Sequence, residues 1–196
     1  MSENKENRTF LHVITPFYRY ENFQEIYESI KKFPDLIWHI GVSKKKPFEI
    51  DFYDDRIRIH EIDCEDNEAW MKRSEVLEKI NDGYFCFLDD DSVFHEGMYQ
   101  KFLEISQENF KGLVIGVQIK EDNSLRLKSS IPIHAKIDAG NAFAHSNCLS
   151  HVKWPKQKAV KNFPNDFVFW KSVYDFFNEK CILTDDVISY YNKLKK

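Results

Sequence analysis

The chain has 196 residues, 42% hydrophobic and 15% aromatic, with a formal net charge of -4. That length provides one domain with a sizeable core and too little chain for two. The acidic balance argues against duplex nucleic acid as the main partner. No apolar run approaches the roughly 20 residues that cross a bilayer, so a soluble protein without a transmembrane segment is expected.

Seventeen Phe, nine Tyr and four Trp against six Gly predict a dense core and aromatic-lined surfaces. Cys64, Cys86, Cys148 and Cys181 form no CxxC pair, which speaks against a zinc framework and for a reduced, cytoplasmic compartment. The polar start MSENKENRTF carries no hydrophobic signal segment, and residues 1–8 are expected to be flexible.

Residues 10–15 (FLHVIT) predict a first strand, stopped by Pro16. Phe23, Ile26, Tyr27 and Ile30 recur at helical spacing and predict a helix over 21–33, closed by Pro34. Strands are expected at 36–42 and 57–62. A helix at 67–80 presents Trp70, Val76, Leu77 and Ile80, and Asn81-Asp82-Gly83 is a turn signal. The continuously apolar run 84–88 (YFCFL) suits a central strand covered on both faces.

That run ends in Asp89-Asp90-Asp91 and leads into a helix at 95–106 and a strand at 113–119. Residues 131–138 read as extended, 139–149 as a turn entering a further element, and 165–177 as a helix. Alternating strands and helices predict one α/β domain over 1–196 with a mainly parallel first half. Ligands of such sheets bind beyond the carboxyl ends of the strands, where Asp89 to Asp91 should sit.

Three adjacent carboxylates at the end of a buried strand repel one another, and desolvation adds to the cost. In extended backbone Asp89 and Asp91 point to one side and Asp90 to the other. Asp89 and Asp91 could thus share a cation. Oxygen ligands favour Mg²⁺ or Mn²⁺, completed by diphosphate oxygens. The plainer alternative is an exposed acidic turn.

Several segments together resemble GT-A fold glycosyltransferases. Thr15-Pro16-Phe17-Tyr18-Arg19 resembles the end of the first strand in the animal glucuronyltransferases. Lys72-Arg73-Ser74-Glu75-Val76-Leu77 resembles their Gln-Arg-Asn-x-Ala-Leu helix before a DDD motif. Ile137-Asp138-Ala139-Gly140-Asn141-Ala142-Phe143-Ala144 resembles the floor of their donor and acceptor pockets, and family 2 glycosyltransferases share much of this layout.

The resemblance spans roughly residues 9–155. It implies a mixed central sheet flanked by helices, a nucleotide-sugar-binding half at 9–119 and an acceptor-side half at 120–196. It further implies that Pro16, Phe17 and Tyr18 line the base pocket and that Arg73 meets the nucleotide or its phosphates. Asp89 and Asp90 would lie near ribose or donor sugar, with Asp91 as direct metal ligand. Val42-Ser43-Lys44 stands where family members often carry an acidic residue, and Ser43 could accept the same bond from the base. The chain is short at its C-terminus by comparison, so an acceptor side that is open or built by a partner is expected.

From the residues themselves, Tyr18 could stack on a base, and Arg19 or Arg73 could pair with phosphate oxygens through a planar fork. Ordinary packing at a strand end and an exposed helix cation are the competing roles. Asp166, at the start of the helix at 165–177, is the candidate general base, against a helix-capping role for it or Asn165. Glu179, Asp185 and Asp186 are weaker candidates. His134, His145 and His151 fall where some GT-A enzymes supply a third metal ligand, and His145 is preferred. Trp154 and Trp170 suit either sugar stacking or the core.

The expected activity is metal-dependent transfer of a sugar from a UDP- or GDP-sugar to a glycan or other hydroxyl acceptor. A homo-oligomer is compatible with the sequence. Leu88-Asp89-Asp90-Asp91-Ser92-Val93 also fits the nucleophile motif of haloacid dehalogenase-type phosphatases, with Thr184-Asp185-Asp186 as a later acidic pair. A nucleotidyltransferase and a non-catalytic carbohydrate-binding subunit are further alternatives.

Overall fold

Alternation along the strands sorts the side chains into two cores on either side of one sheet. Leu11 and Val13 of β1 (Leu11–Pro16) face one way, packing with Ile26 and Ile30 of α1 (Phe23–Ile30) and with Met98, Phe102 and Ile105 of α3 (Glu96–Gln107). Ile14 faces the other way, towards Val76 and Leu77 of α2 (Ala69–Leu77) and Phe169, Trp170 and Val173 of α4 (Asn165–Phe177). Strand β4 (Tyr84–Phe87) is buried on both faces, as its unbroken apolar run predicts. The computed structural model describes residues 8–46, 48–132, 136–156, 164–178 and 180–194.

Strands β2 (Leu36–Ser43), β3 (Ile57–Ile62), β5 (Leu113–Lys120), β6 (Leu125–Leu127), β7 (Ala142–His145) and β8 (Cys181–Tyr191) complete the sheet. Its order is β3-β2-β1-β4-β7-β5, with β6 and β8 both pairing β5. β3, β2, β1 and β4 run parallel, so their carboxyl ends share one edge. β7 returns antiparallel between β4 and β5, which makes the sheet mixed, as expected.

Local differences from the sequence expectation have tertiary causes. The helix expected at 21–33 is split into a 3₁₀ turn, Tyr20–Asn22, and α1. Asn22 Nδ2 donates to the Asp90 carbonyl at 2.7 Å, tying the turn to the acidic cluster. α2 stops at Leu77 because its last turn tightens: the N–H groups of Lys79 and Ile80 donate to Val76 and Leu77. β6 and β8 have no counterpart among the expected elements. β8 has an irregular apolar pattern, and its register against β5 shifts on both sides of Val117.

Gly41 lets α2 approach β2, since a Cβ there would lie 3.1 Å from the Lys72 Cβ. Gly83, at φ +61°, opens the turn into β4, and a Cβ there would lie 2.3 Å from the Phe10 carbonyl oxygen. A chain of histidines crosses the parallel strands. His12 Nε2 meets Asp82 Oδ1 at 3.0 Å, His12 Nδ1 meets His39 Nε2 at 2.9 Å, and His39 Nδ1 meets His60 Nε2 at 3.0 Å. Among the described residues, no helix is long and apolar enough to cross a membrane.

Candidate functional site

The three aspartates leave β4 at the carboxyl edge and diverge, because Ser92 N–H donates back to the Asp89 carbonyl and turns the chain. Asp89 and Asp91 line one cleft together with Asp138, Gly140, Tyr190 and Tyr191. Asp90 turns the other way, as alternation predicts, and its residue is 1% exposed. Its Oδ2 accepts from the backbone N–H groups of Tyr18 and Arg19 at 2.7 and 2.8 Å, and its Oδ1 accepts from the Arg19 guanidinium. Burial pushes the Asp90 carboxyl above its usual pKa, while those three donors pull it down. Asp90 therefore faces the interior and fastens the β1 loop to the cluster.

Arg19 Nη1 also lies 3.3 Å from Asp91 Oδ2. The Arg19 cation thus offsets part of the carboxylate repulsion, and the guanidinium expected on phosphate oxygens is engaged with Asp90 and Asp91. Its carbon lies 4.4 Å from the centre of the Tyr18 ring. Tyr18 itself is half-buried, and burial followed by the charge of Asp90 raises its hydroxyl pKa.

Arg73 joins the cluster to the opposite wall. It donates to Asp89 Oδ1, and its Nη1 lies 3.6 Å from Asp166 Oδ1. Its guanidinium packs beside the touching rings of Phe87 and Trp154, 5.7 and 5.0 Å from their centres. Asp166, in the first turn of α4, keeps 27% of its side chain exposed. Burial raises its pKa to about 6, helped by the charges of Asp138 and Asp89 and opposed by Arg73 and the Ala139 N–H. Pro164 occupies the N-cap position of α4 and contributes no side-chain hydrogen bond there.

The remaining expected residues separate into those at the cleft and those elsewhere. Pro16 ends β1 and is buried. Phe17 is fully buried against Tyr20, Phe23, Trp38 and Phe48, so its ring offers no face to a base. Ser43 is fully buried; its hydroxyl donates to the Cys64 carbonyl at 2.5 Å and accepts from Lys45 N–H at 3.2 Å. The bond expected from Ser43 to a base would have to displace these.

Gly140 lines the cleft, where a Cβ would meet only ordinary contacts. Asn141 is fully buried and structural: it accepts from Asp138 N–H at 2.8 Å and donates to the Gly116 carbonyl at 3.3 Å. Trp154 and Trp170 are core residues, packed against Phe87 and Phe85 rather than presented to a sugar.

His145 is a correction. β7 runs antiparallel to β4 and pairs His145 with Tyr84, at the amino end of the strand. Asp89 is five residues farther along, about 16 Å at the usual strand rise. His145 accepts from Asn147 N–H at 3.2 Å and cannot share a metal with Asp91. His151 is exposed beside Phe176, while His134 and Glu179 lie outside the described residues. Asp185 is exposed, and Asp186 pairs with Lys101 at 2.9 Å on the α3 side, away from the cleft. The dehalogenase-type reading therefore loses its second acidic pair, and its nucleophile position follows the fourth strand rather than the first.

Among the described residues, no three His, Cys, Asp or Glu side chains gather as a cation cage. Asp89 and Asp91 remain as two carboxylates on one cleft. Mg²⁺ commonly takes one or two carboxylates and completes its shell with water and substrate phosphates. The residues fit a substrate-completed cation site.

Three contributors escaped the sequence reading. Lys72, fully buried, donates to the carbonyls of Phe17 and Asp66 at 2.8 and 2.5 Å and so holds the Tyr18 loop. Asp138 accepts from Gly140 N–H at 3.1 Å and from Gln118 at 3.2 Å. Arg126 sits 3.2 Å from Asp138 and 3.5 Å from the centre of the Tyr191 ring, bracing two residues that line the cleft. Lys72 and Asp138 stood inside quoted motifs; nothing local marks Arg126.

This mixed sheet, with its acidic cluster at the carboxyl edge, is the GT-A fold of nucleotide-diphospho-sugar transferases. S. aureus TarS 1-349 matches with a TM-score of 0.70 at 12% identity, over 93% of this chain and 60% of that one. The same protein in complex with UDP-GlcNAc matches at 0.69 and 12% identity, over 93% and 58%. A 4-diphosphocytidyl-2C-methyl-D-erythritol synthase matches at 0.55 and 10% identity, over 96% and 92%. The chain spans about three fifths of the length of TarS 1-349. No protein-family model and no curated protein matches the sequence. The likeness is to the nucleotide-sugar transferase fold in general, and the expected tie to animal glucuronyltransferases in particular is not what these structures carry.

Proposed function

We propose that this chain transfers a sugar from a nucleoside diphosphate-sugar to a hydroxyl group of a glycan or related acceptor. The observation that carries this reading is that one buried arginine, Arg73, joins Asp166 to Asp89, which lines a cleft with Asp91 at the carboxyl edge of a GT-A sheet. A neighbour of the same fold holds UDP-GlcNAc, which supports a UDP-sugar as donor.

In this scheme Tyr18 lies against the nucleotide base and Asp89 and Asp91 face the diphosphate. Those two carboxylates would hold Mn²⁺ or Mg²⁺, which supplies charge neutralisation for the departing nucleoside diphosphate. Asp166 takes the proton of the acceptor hydroxyl. The freed oxygen attacks the anomeric carbon, the bond from that carbon to the diphosphate oxygen breaks, and configuration inverts. A carboxyl with a pKa near 6 is largely ionised at neutral pH and basic enough for that task.

Isothermal titration with UDP and GDP, with and without Mn²⁺, tests the reading. Metal-dependent nucleotide binding that Asp91→Ala abolishes is expected. Hydrolysis of a generic phosphate ester dependent on Asp89 would favour a phosphatase, and preference for a nucleoside triphosphate would favour a nucleotidyltransferase.

A further inference from the structure

We propose that Arg73 is a positioning residue that tethers donor-side Asp89 to acceptor-side Asp166, so that the aim and charge of Asp166 follow the state of Asp89. The inference rests on the reading of Asp166 as the acceptor-side base and deepens it.

One guanidinium serves two carboxylates from different parts of the fold. Asp89 ends β4 and is bonded directly; Asp166 opens α4 and stands at 3.6 Å. Arg73 is 8% exposed and packs beside the touching Phe87 and Trp154 rings, so it has little room to swing away from either partner. Its buried Nε has no hydrogen-bond partner among the described residues. A planar fork can address two carboxylates at once, whereas a lysine ammonium is a single point charge.

The charges facing Asp166 set the direction of the coupling. Asp138 and Asp89 oppose its ionisation, Arg73 favours it, and the Ala139 N–H donates to it. Asp138 is itself held by Arg126. Losing Arg73 leaves burial and two like charges to favour the proton on Asp166. Neutralising Asp89 removes one of those like charges and frees the guanidinium to approach Asp166. The two substitutions should therefore shift Asp166 in opposite directions.

The test is a ¹³C-carboxyl NMR titration of the full chain labelled at aspartate, with the Asp166 signal assigned by its loss in Asp166→Asn. The wild-type midpoint is expected near pH 6. Arg73→Gln should raise it by about one unit, and Asp89→Asn should lower it by roughly half a unit or more. Arg73→Lys, which keeps the cation but not the fork, should fall between wild type and Arg73→Gln. Midpoints within about 0.2 unit of wild type in both Arg73→Gln and Asp89→Asn, or shifts of the same sign, would overturn the proposal. Should Arg73→Gln fail to fold, Asp89→Asn and Arg73→Lys still decide it, because both keep a buried cation. UDP titration of the same samples separates the two levels. Wild-type protein that binds no UDP removes the nucleotide-sugar reading, while the titration midpoints still report on the tether.

Discussion

Lys72 Nζ donates to the carbonyl oxygen of Phe17 at 2.8 Å, joining a helix on one face of the sheet to the loop that carries Tyr18 and Arg19. Burial lowers the pKa of Lys72, with Asp66 as the main opposing influence. Lys72→Met keeps the volume and strands two carbonyls. It should cost about 2 kcal/mol and weaken nucleotide binding through the Tyr18 loop. Urea unfolding and UDP calorimetry read the two effects, and an unchanged midpoint would contradict the anchoring role.

Adjacent aspartates should behave differently. Asp90→Asn puts an amide against three donors and is expected to cost about 3 kcal/mol, as for a broken buried pair. Asp91→Asn, on the cleft side, should cost less stability and should instead remove metal-dependent UDP binding. Equal destabilisation in the two variants would mean that the cluster is structural throughout.

Asp166→Asn should leave donor affinity within about threefold and slow transfer by roughly a hundredfold or more, the usual range for a lost general base. In wild type the rate should rise with pH through about 6, as Asp166 ionises. Single-turnover transfer at saturating donor measures both, and undiminished transfer would exclude Asp166 as base.

Stability should fall on mild acidification. Burial holds His12, His39 and His60 below the usual histidine pKa, His39 at about 2, with Asp82 favouring and Arg58 opposing the charge on His12. Arg58 also opposes the charge on His39 and His60, and Lys79 acts on His60 as well. These folded-state values lie below the unfolded value, so the unfolded chain takes up protons first. The stability is fully present above about pH 6.5 and is lost below it, at about 1.4 kcal/mol per pH unit for each fully neutral histidine. His95 and His145 act in the same direction, whereas Asp166 and Asp90, with raised values, act against it. Stability at pH 5.5 should be about 2 kcal/mol below that at pH 7.5, and His39→Phe should flatten the dependence. Equal urea midpoints at both pH values in wild type would refute the ladder as its origin.

Much of the fold was legible because its signals are local. The unbroken apolar run at 84–88 and the helical spacing of Phe23, Ile26, Tyr27 and Ile30 each report burial from a few neighbouring residues. β8 escaped because Thr184, Asp185 and Asp186 interrupt its apolar pattern and its register against β5 is irregular. A strand-end aromatic such as Phe17 looks the same in sequence whether it faces a ligand or, as here, a cluster of other rings.

Local chemistry by itself determined the alternating α/β plan and the placement of three carboxylates beyond a central strand, because periodicity and burial act over a few residues. Tertiary structure alone decided the partners. The antiparallel return of β7 carried His145 to the far end of the sheet, and the β1 loop consumed Asp90. Arg73 came to lie between two aspartates 77 positions apart in sequence. Charges pair through space, and the direction of a returning strand is set by the packing of the whole sheet.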